Sequence, residues 1–530
     1  MGRTSPSSLR TQVLVIGGGP AGAYAASVLA REGFQTTVLE ATKFPRYHIG
    51  ESMLPSVTSF FEFIGLDEKL RNHGFCSKPG AAVKFNQRKK EGYTDFLKNN
   101  SEGTWNVVRS EFDEMLLRHA GESGATVLEE HKVIEIKFED VSGKSRPYSA
   151  VFTRPSGERS EIHFDYLIDA SGRNGIMSTK YLRNRKMNSS LHNIACWGYW
   201  EGGYGKYMPG TRRENAPWFE ALTDESGWAW YIPLHNGTVS VGVVMDQDVS
   251  SSKKAKAREA SATGEHTLCD HYLQQLELVP GLKALLGTAT LVSNHVKSAS
   301  DYSYSAERYA GDRFRIIGDA SAFIDPLFSS GVHLALLGGL TAASTVAASV
   351  RGHCSEEEAA EYHHVKIGAA YTRFFLVVMS AYRQIRSQNV DILSDVDEDN
   401  FDRAFDIIRP VIQGTADVGR TLSESELQKT LDFCKDVWAP VDPEMHERVA
   451  SRYGSELLSP AAPIFKPEDL DQIVDPNDED AVDVFKRANA RKIVDPMFKG
   501  ISSLESEPVK GFITCLQRGS LGLIYIASAA

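Results

Sequence analysis

Two rhythms of apolar residues run along this chain. Gln12 to Ile16 (QVLVI) is an almost unbroken apolar run, and from Ala23 the stretch AYAASVLAREGF brings apolar residues back at the spacing of a helix face. The pattern predicts strand, tight turn and helix, then a second short strand from Thr36 to Leu39. Strand signatures return at Tyr166 to Asp169 and in the segment GDRFRII before Gly318. Strands interleaved with helices put this part in the α/β class. The middle of the chain alternates instead: WGYWEG (Trp197 to Gly202), GWAWYIPL (Gly227 to Leu234) and TVSVGVVMD (Thr238 to Asp246) predict strands of a separate sheet. In GWAWYIPL, Trp228 and Trp230 fall two apart, on one face of a half-buried strand that ends at Ile232 and Pro233. From about Leu334 the pattern turns helical, including YTRFFLVVMSAYRQIRSQ.

The predicted organisation is an α/β domain over 8–185, a β-sheet region over 186–294, the return of the first domain over 295–345, and a mainly helical region over 346–530. Within the last, the Pro- and Asp-rich stretch from Ala439 to Asp495 predicts a lid-like loop, with DPNDED (Asp475 to Asp480) as a solvated part of it.

Between the first strand and helix lies Gly17-Gly18-Gly19-Pro20-Ala21-Gly22, a G-x-G-x-x-G in its strand, turn, helix context. Gly17 permits the tight turn, Gly19 lets backbone approach a pyrophosphate, and Gly22 lets the helix pack on the strand, while the helix N-terminus offers N–H groups to the anion. Glu40 closes the second strand about twenty residues on, where an acid binds a ribose hydroxyl. No second such motif exists for a further dinucleotide domain, so electrons are expected to arrive on a carrier reduced elsewhere or by transient docking of NAD(P)H.

Composition narrows the rest. At 530 residues the chain holds two or three substructures, and its net charge of −11 leaves no basic footprint for nucleic acid. Six cysteines without a C-x-x-C pair fit neither a disulfide framework nor a zinc site, no metal is expected, and a reducing, cytoplasmic setting is the simpler reading. The opening MGRTSPSSLRTQ lacks an apolar signal core, and the closing LGLIYIASAA is about half the length of a bilayer span, so no transmembrane segment is expected and the tail reads as a docked segment.

The segment Gly311 to Leu340, with Gly318-Asp319 followed by a Pro-containing loop and a small-residue helix, resembles FAD-binding Rossmann-type flavoproteins of the para-hydroxybenzoate hydroxylase type. That resemblance implies that Asp319 binds the flavin ribityl chain, that the following helix N-terminus faces the flavin, and that Arg109 in VVRSEFDEMLL points to the cofactor.

Further segments carry a narrower resemblance: FPRYHIGESMLPS (Phe44 to Ser56), SKPGAAVKF (Ser77 to Phe85), WAWYIP and DPLFSSGVHLA. Together with Gly17 to Gly22 they are similar to the flavin-dependent halogenases, and to the phenol-halogenating branch of fungal polyketide pathways, over most of the chain up to about residue 400. The resemblance implies that reduced FAD, supplied by a separate flavin reductase, reacts with O₂ to give a hydroperoxide that oxidises chloride. The resulting HOCl then passes through a tunnel to a lysine beside an electron-rich ring. By the same resemblance Ser330 and Gly331 bind the halide, Val332 follows at the flavin, Lys78 is catalytic, either as an ammonium that hydrogen-bonds HOCl or as a neutral amine that forms a chloramine, and Glu51 helps couple the flavin and substrate regions. Lys84 competes for the lysine role, and Glu51 equally reads as a structural acid at a helix start. Trp228, Trp230, Ile232 and Pro233 are implied to wall off the passage between flavin and substrate.

One departure bears on the substrate. The tryptophan-halogenating branch carries a glutamate two residues before the halide pair, and this chain has Phe328 there. A phenol activates itself through its oxygen, so a small phenolic substrate, free or tethered to a carrier protein, fits better than tryptophan. Alternatives sharing the fold are an aromatic hydroxylase, a flavin reductase acting on isoprenoid double bonds, and a non-catalytic flavoprotein.

Overall fold

The computed structural model describes residues 9–386, apart from 89–90, 98–102, 142–143 and 262–263, together with 388 and most of 443–526. Five parallel strands form the heart of the first sheet, in the spatial order Phe314–Ile316, Arg159–Asp169, Leu9–Ile16, Thr36–Leu39 and Thr126–Leu128. Residues of the first strand divide by parity. Val13 and Val15 enter the core shared with helices Pro20–Arg31, Arg109–Glu122 and Ser330–Arg351, whereas Leu14 and Ile16 pack with the hairpin Lys132–Val141/Lys144–Thr153. Cover on both faces is why QVLVI reads as continuous rather than alternating.

The second sheet runs Thr290–Leu291, Asn193–Glu201, Thr238–Asp246, Gly227–Pro233, Trp218–Ala221, Gly80–Lys84 and Gly92–Asp95. Its Gly227–Pro233 strand is buried throughout rather than half-buried. Trp228, Trp230 and Ile232 face a core completed by Tyr371, Phe374 and Phe375 of helix Glu356–Arg386, while Ala229 and Tyr231 face a second core closed by helices Leu268–Leu276 and Pro280–Leu286.

Three expectations change. The strands Gly80–Lys84 and Gly92–Asp95, inside the stretch assigned to the nucleotide domain, belong to the second sheet, as does Lys297–Ser300 beyond its expected end. Long-range pairing decides membership, and a linear boundary cannot represent it. The lid-like stretch carries helices Pro443–Tyr453 and Glu479–Phe498. Its prolines and acids read as loop formers, but Pro443 opens one helix and Glu479 and Asp480 occupy the first turn of the other, positions that favour them. Asp478 of the acidic run accepts from the Ala481 N–H at 3.1 Å and pairs with Arg452 at 2.6 Å, so the run starts a helix rather than only facing water. The described part of the C-terminal tail docks in part: Gly522–Tyr525 pairs with Phe512–Cys515, and Leu521 and Leu523 are buried while Ile524 and Tyr525 are exposed; residues 527–530 lie outside the described residues. Among the described residues one helix, Ser330–Arg351, is long and apolar enough to cross a membrane, but 89% of its apolar window is buried inside the protein.

Candidate active site

At the end of the first strand the chain turns through Gly17 with φ of 103°, and a Cβ there would lie 2.3 Å from the Ala170 carbonyl oxygen. Gly22 is held as tightly, since its Cβ would meet the Gly17 carbonyl oxygen at 2.0 Å. A Cβ on Gly19 would meet only Arg46 Nη2, at 3.4 Å, so the turn is open there. That is also the N-terminus of helix Pro20–Arg31, which has no side-chain cap and no acid in its first turn, and in which Ala21 is buried. Its N–H groups and dipole suit an anion.

Arg46 was not singled out by the sequence reading. Its guanidinium bonds Asp113 at 2.8 Å, and Asp113 also accepts from Arg109 Nε at 2.8 Å and Nη2 at 3.0 Å. Two guanidiniums against one buried carboxylate leave a single positive charge beside the turn, which suits a pyrophosphate. Arg109 is buried and turned inward, donating also to the carbonyls of Ile49 at 2.7 Å and Gly50 at 3.1 Å, so it braces the loop before Glu51. Glu40 ends the second strand as expected, but its carboxylate holds the turn: it accepts from Gly18 N–H at 2.6 Å and from the Thr42 N–H and hydroxyl at 2.8 and 2.7 Å. A carboxylate has about four acceptor positions, so capacity remains for a ribose hydroxyl.

The other end of the cofactor site is built by the return of the chain. Asp319 sits in the turn Gly318–Ala320 directly after the strand Phe314–Ile316, and burial pushes its carboxyl up to about 6 against the opposing pull of Arg109. Asp319 shares a small cavity with Phe323, Asp325, Ser330, Gly331 and Leu334. Ser330 opens the helix Ser330–Arg351. The residue before it, Ser329, is left-handed at φ 54° and makes no side-chain cap, and the first turn holds no acid. The expected halide pair thus lies at an uncapped helix start, where oriented N–H groups favour a monovalent anion. Val332, one residue on, is buried.

Lys78 is far from an ordinary surface lysine. It ends the strand Cys76–Lys78 and is 1% exposed; its Nζ donates to the Met53 carbonyl at 2.7 Å and lies 5.2 Å from the Phe96 ring centre. Burial pulls its pKa down to about 7. Lys84, the competing candidate, is only half-buried.

A single segment connects these parts. Glu51 is buried and accepts from the Tyr199 hydroxyl at 2.5 Å, while its Oε2 has no hydrogen-bond partner, and burial raises its pKa to about 7. Met53 receives Lys78, and two residues beyond Leu54 the Ser56 hydroxyl bonds His333 Nδ1 at 2.8 Å, inside the first turn of the helix that starts at Ser330. Burial lowers the His333 pKa to about 4, so this histidine is neutral at pH 7.

With this geometry, the comparisons with known proteins are direct. A family described as an FAD binding domain matches residues 10–194. Flavin-dependent halogenase armH4 of Armillaria mellea is 58% identical, over 97% of this chain and 98% of its own. The chain belongs to the flavin-dependent halogenases. Sulochrin halogenase gedL of Aspergillus terreus is 46% identical over 97% of this chain and 93% of its own. Among solved structures, the myxobacterial chondrochloren halogenase CndH matches with a TM-score of 0.64 at 26% identity, covering 81% of this chain and 97% of that one.

FAD is therefore the cofactor, and the turn at Gly17 to Gly22 lies within the matched FAD-binding stretch. In this halogenase the tryptophans stand behind the cavity. Trp228 is fully buried and its Nε1 donates to the Tyr382 hydroxyl at 2.8 Å; Tyr382 in turn donates to Asp325 Oδ2 at 2.8 Å. Asn193 Nδ2 reaches both Tyr382 at 2.9 Å and Asp325 at 3.2 Å. Trp230 lies 5.9 Å from Trp228 between ring centres and donates to the Ser240 hydroxyl at 3.2 Å. Asp325 was missed by the sequence reading, where it stood only as the acid before Pro326 in the loop. Burial raises its pKa to about 7, which lets its neutral form share a cavity with an anion. No local signal announces this, because its partners Asn193 and Tyr382 come from other parts of the chain.

Proposed function

We propose that this halogenase chlorinates a small phenolic substrate of a fungal polyketide pathway, with chloride bound at Ser330 and Gly331 and HOCl directed by Lys78. The observation that carries the reading is the burial of Lys78 on the same Glu51–Ser56 segment that bonds the helix start of the halide pair. Bound FAD in its reduced state, with O₂, supplies the oxidising power that turns chloride into HOCl. Overall, reduced FAD, O₂, chloride, a proton and the aromatic C–H become FAD, the aromatic C–Cl and two waters.

The protein's own groups do the rest. Uncapped N–H groups of Ser330 and Gly331 hold chloride, and Asp325 in its neutral form tolerates it. The Lys78 ammonium, populated at neutral pH because its pKa is about 7, donates a hydrogen bond to the oxygen of HOCl and makes chlorine the better electrophile. The wall of Trp228, Trp230, Ile232 and Pro233 keeps the ring away from the flavin and so disfavours direct oxygen transfer. Phe328 offers no carboxylate to assist substitution, in keeping with a self-activating phenol, and the sulochrin halogenase relative supports this substrate class. A separate reductase provides reduced FAD, since the chain has one dinucleotide fingerprint. Free cysteines among the described residues agree with a cytoplasmic setting.

Family membership weighs against the hydroxylase, reductase and non-catalytic readings. The test is mass spectrometry of a phenol panel incubated with reduced FAD, O₂ and chloride. A chlorine isotope doublet is expected; a gain of one oxygen, or no product on any phenol, overturns the proposal.

A further inference from the structure

A second constellation lies apart from the flavin chemistry. His73 ends helix Asp67–His73, Glu111 sits in the first turn of helix Arg109–Glu122, and His235 follows the Gly227–Pro233 strand in the turn leading to Thr238–Asp246. Glu111 Oε2 is 2.7 Å from His73 Nε2 and 3.2 Å from His235 Nε2, and one donor atom from each residue lies within 4.8 Å of the others. Both imidazoles are held by the same buried side chain, the Phe75 ring, whose centre is 4.2 Å from His73 and 5.3 Å from His235. The rings therefore do not have to be gathered from solvent before they can bind anything.

We infer that His73, Glu111 and His235 form a binding site for a divalent transition-metal cation, Zn²⁺ being the best match. Two imidazole nitrogens and one carboxylate oxygen are a borderline-soft donor set that suits zinc, with water completing a tetrahedron. At Zn–N and Zn–O distances of about 2.0–2.2 Å, ligand atoms around a tetrahedral ion stand roughly 3.3 Å apart, which the His235–Glu111 contact of 3.2 Å already matches, while the His73–Glu111 contact of 2.7 Å has to open to admit the ion. The bound ion joins three elements: the helix that leads through Phe75 to Lys78, the helix that begins at Arg109, and the hairpin that follows the two tryptophans. It acts as a staple between the two sheets' surroundings and takes no part in halogenation. The ligands lie far apart in sequence, which is why no spaced metal motif predicts them.

The test is calorimetric titration of ZnCl₂ into the full-length, tag-free, FAD-loaded protein after chelator treatment, with melting curves in parallel. One Zn²⁺ per chain and a raised Tm are expected for the wild type. His73→Ala and His235→Ala each remove a direct ligand and should weaken binding by at least the roughly 10- to 100-fold that losing an outer-shell partner costs. Glu111→Gln, which keeps the side-chain shape, should weaken it as well, and retained FAD absorbance shows that each variant is folded. Absence of saturable binding to the wild type, or unchanged stoichiometry and affinity in the folded variants, overturns the site.

Discussion

Replacing Lys78 by Met removes an ionisable group from a buried position while keeping a side chain of similar length, and it separates the cost of the lysine from its use. Burial lowers the Lys78 pKa from 10.5 to about 7. For a cation whose folded pKa lies below the unfolded one, the unfolded chain binds more protons. The lysine therefore destabilises the fold at low pH, and the penalty is relieved as pH rises from about 7 towards about 10.5. At about 1.4 kcal/mol per pH unit, the penalty is roughly 5 kcal/mol at pH 6 and about 2 kcal/mol at pH 9. Against this, methionine leaves the Met53 carbonyl without its donor, at about 1–3 kcal/mol independent of pH. Lys78→Met is thus expected to stabilise the protein by about 2–4 kcal/mol at pH 6 and to lie within about 1 kcal/mol of wild type at pH 9. The assay is a pH series of melting curves for both proteins, paired with product analysis. Flavin oxidation should continue, with HOCl caught by a soluble scavenger and no chlorinated phenol formed. A Tm difference that does not change with pH would refute the buried-charge argument, and persistent chlorination would remove Lys78 from catalysis.

Substitutions at two other positions test the proposed cofactor cradle and the proposed tryptophan wall. Gly22→Ala drives a Cβ to 2.0 Å from the Gly17 carbonyl oxygen, so the turn must open; FAD binding should weaken about 10- to 100-fold, read from flavin absorbance per chain, and full occupancy would show that the turn does not set the affinity. Trp228→Ala empties a fully buried site, at about 3–5 kcal/mol, and opens the wall behind Asp325, so free peroxide or hydroxylated product should rise; Trp228→Phe loses chiefly the bond to Tyr382 and should stay coupled. Equal coupling in wild type and Trp228→Ala would reduce the tryptophan to core packing.

Where a function depends on residues adjacent in the chain, it was legible. The strand, turn and helix around Gly17 to Gly22 appear where the apolar rhythm and the glycines predict them, because the turn's geometry is set by backbone conformation within a few residues. The helix start at Ser330 follows the Pro326 loop where the sequence reading places it, but its lack of a cap was not legible, since Ser329 is a residue that often caps and fails to here in a left-handed conformation. Burial was harder to read. GWAWYIPL alternates like a strand wet on one side, yet both faces are covered, because helices distant in sequence close over the sheet. The stretch from Ala439 to Asp495 failed for the opposite reason, since Pro and Asp serve loops and helix starts alike and only the structure distinguishes them.

The sequence by itself determined the fold class, the dinucleotide turn with Glu40 behind it, and, through its resemblance to a family, the residues to watch: Lys78, Asp319, Ser330 and Gly331. Each of these is marked by its immediate neighbours. What only the tertiary structure decided is their physical state. The Lys78 ammonium titrates near neutrality because burial strips it of water and leaves it Met53's carbonyl. Asp325 becomes a near-neutral acid facing the cavity because burial raises its pKa against the opposing hydrogen bonds from Tyr382 and Asn193. Arg46 reaches the cofactor turn, and His73, Glu111 and His235 meet, only because separate elements are packed together. Charge, solvation and ligand geometry depend on distance in space, and separation along the chain carries little information about that distance.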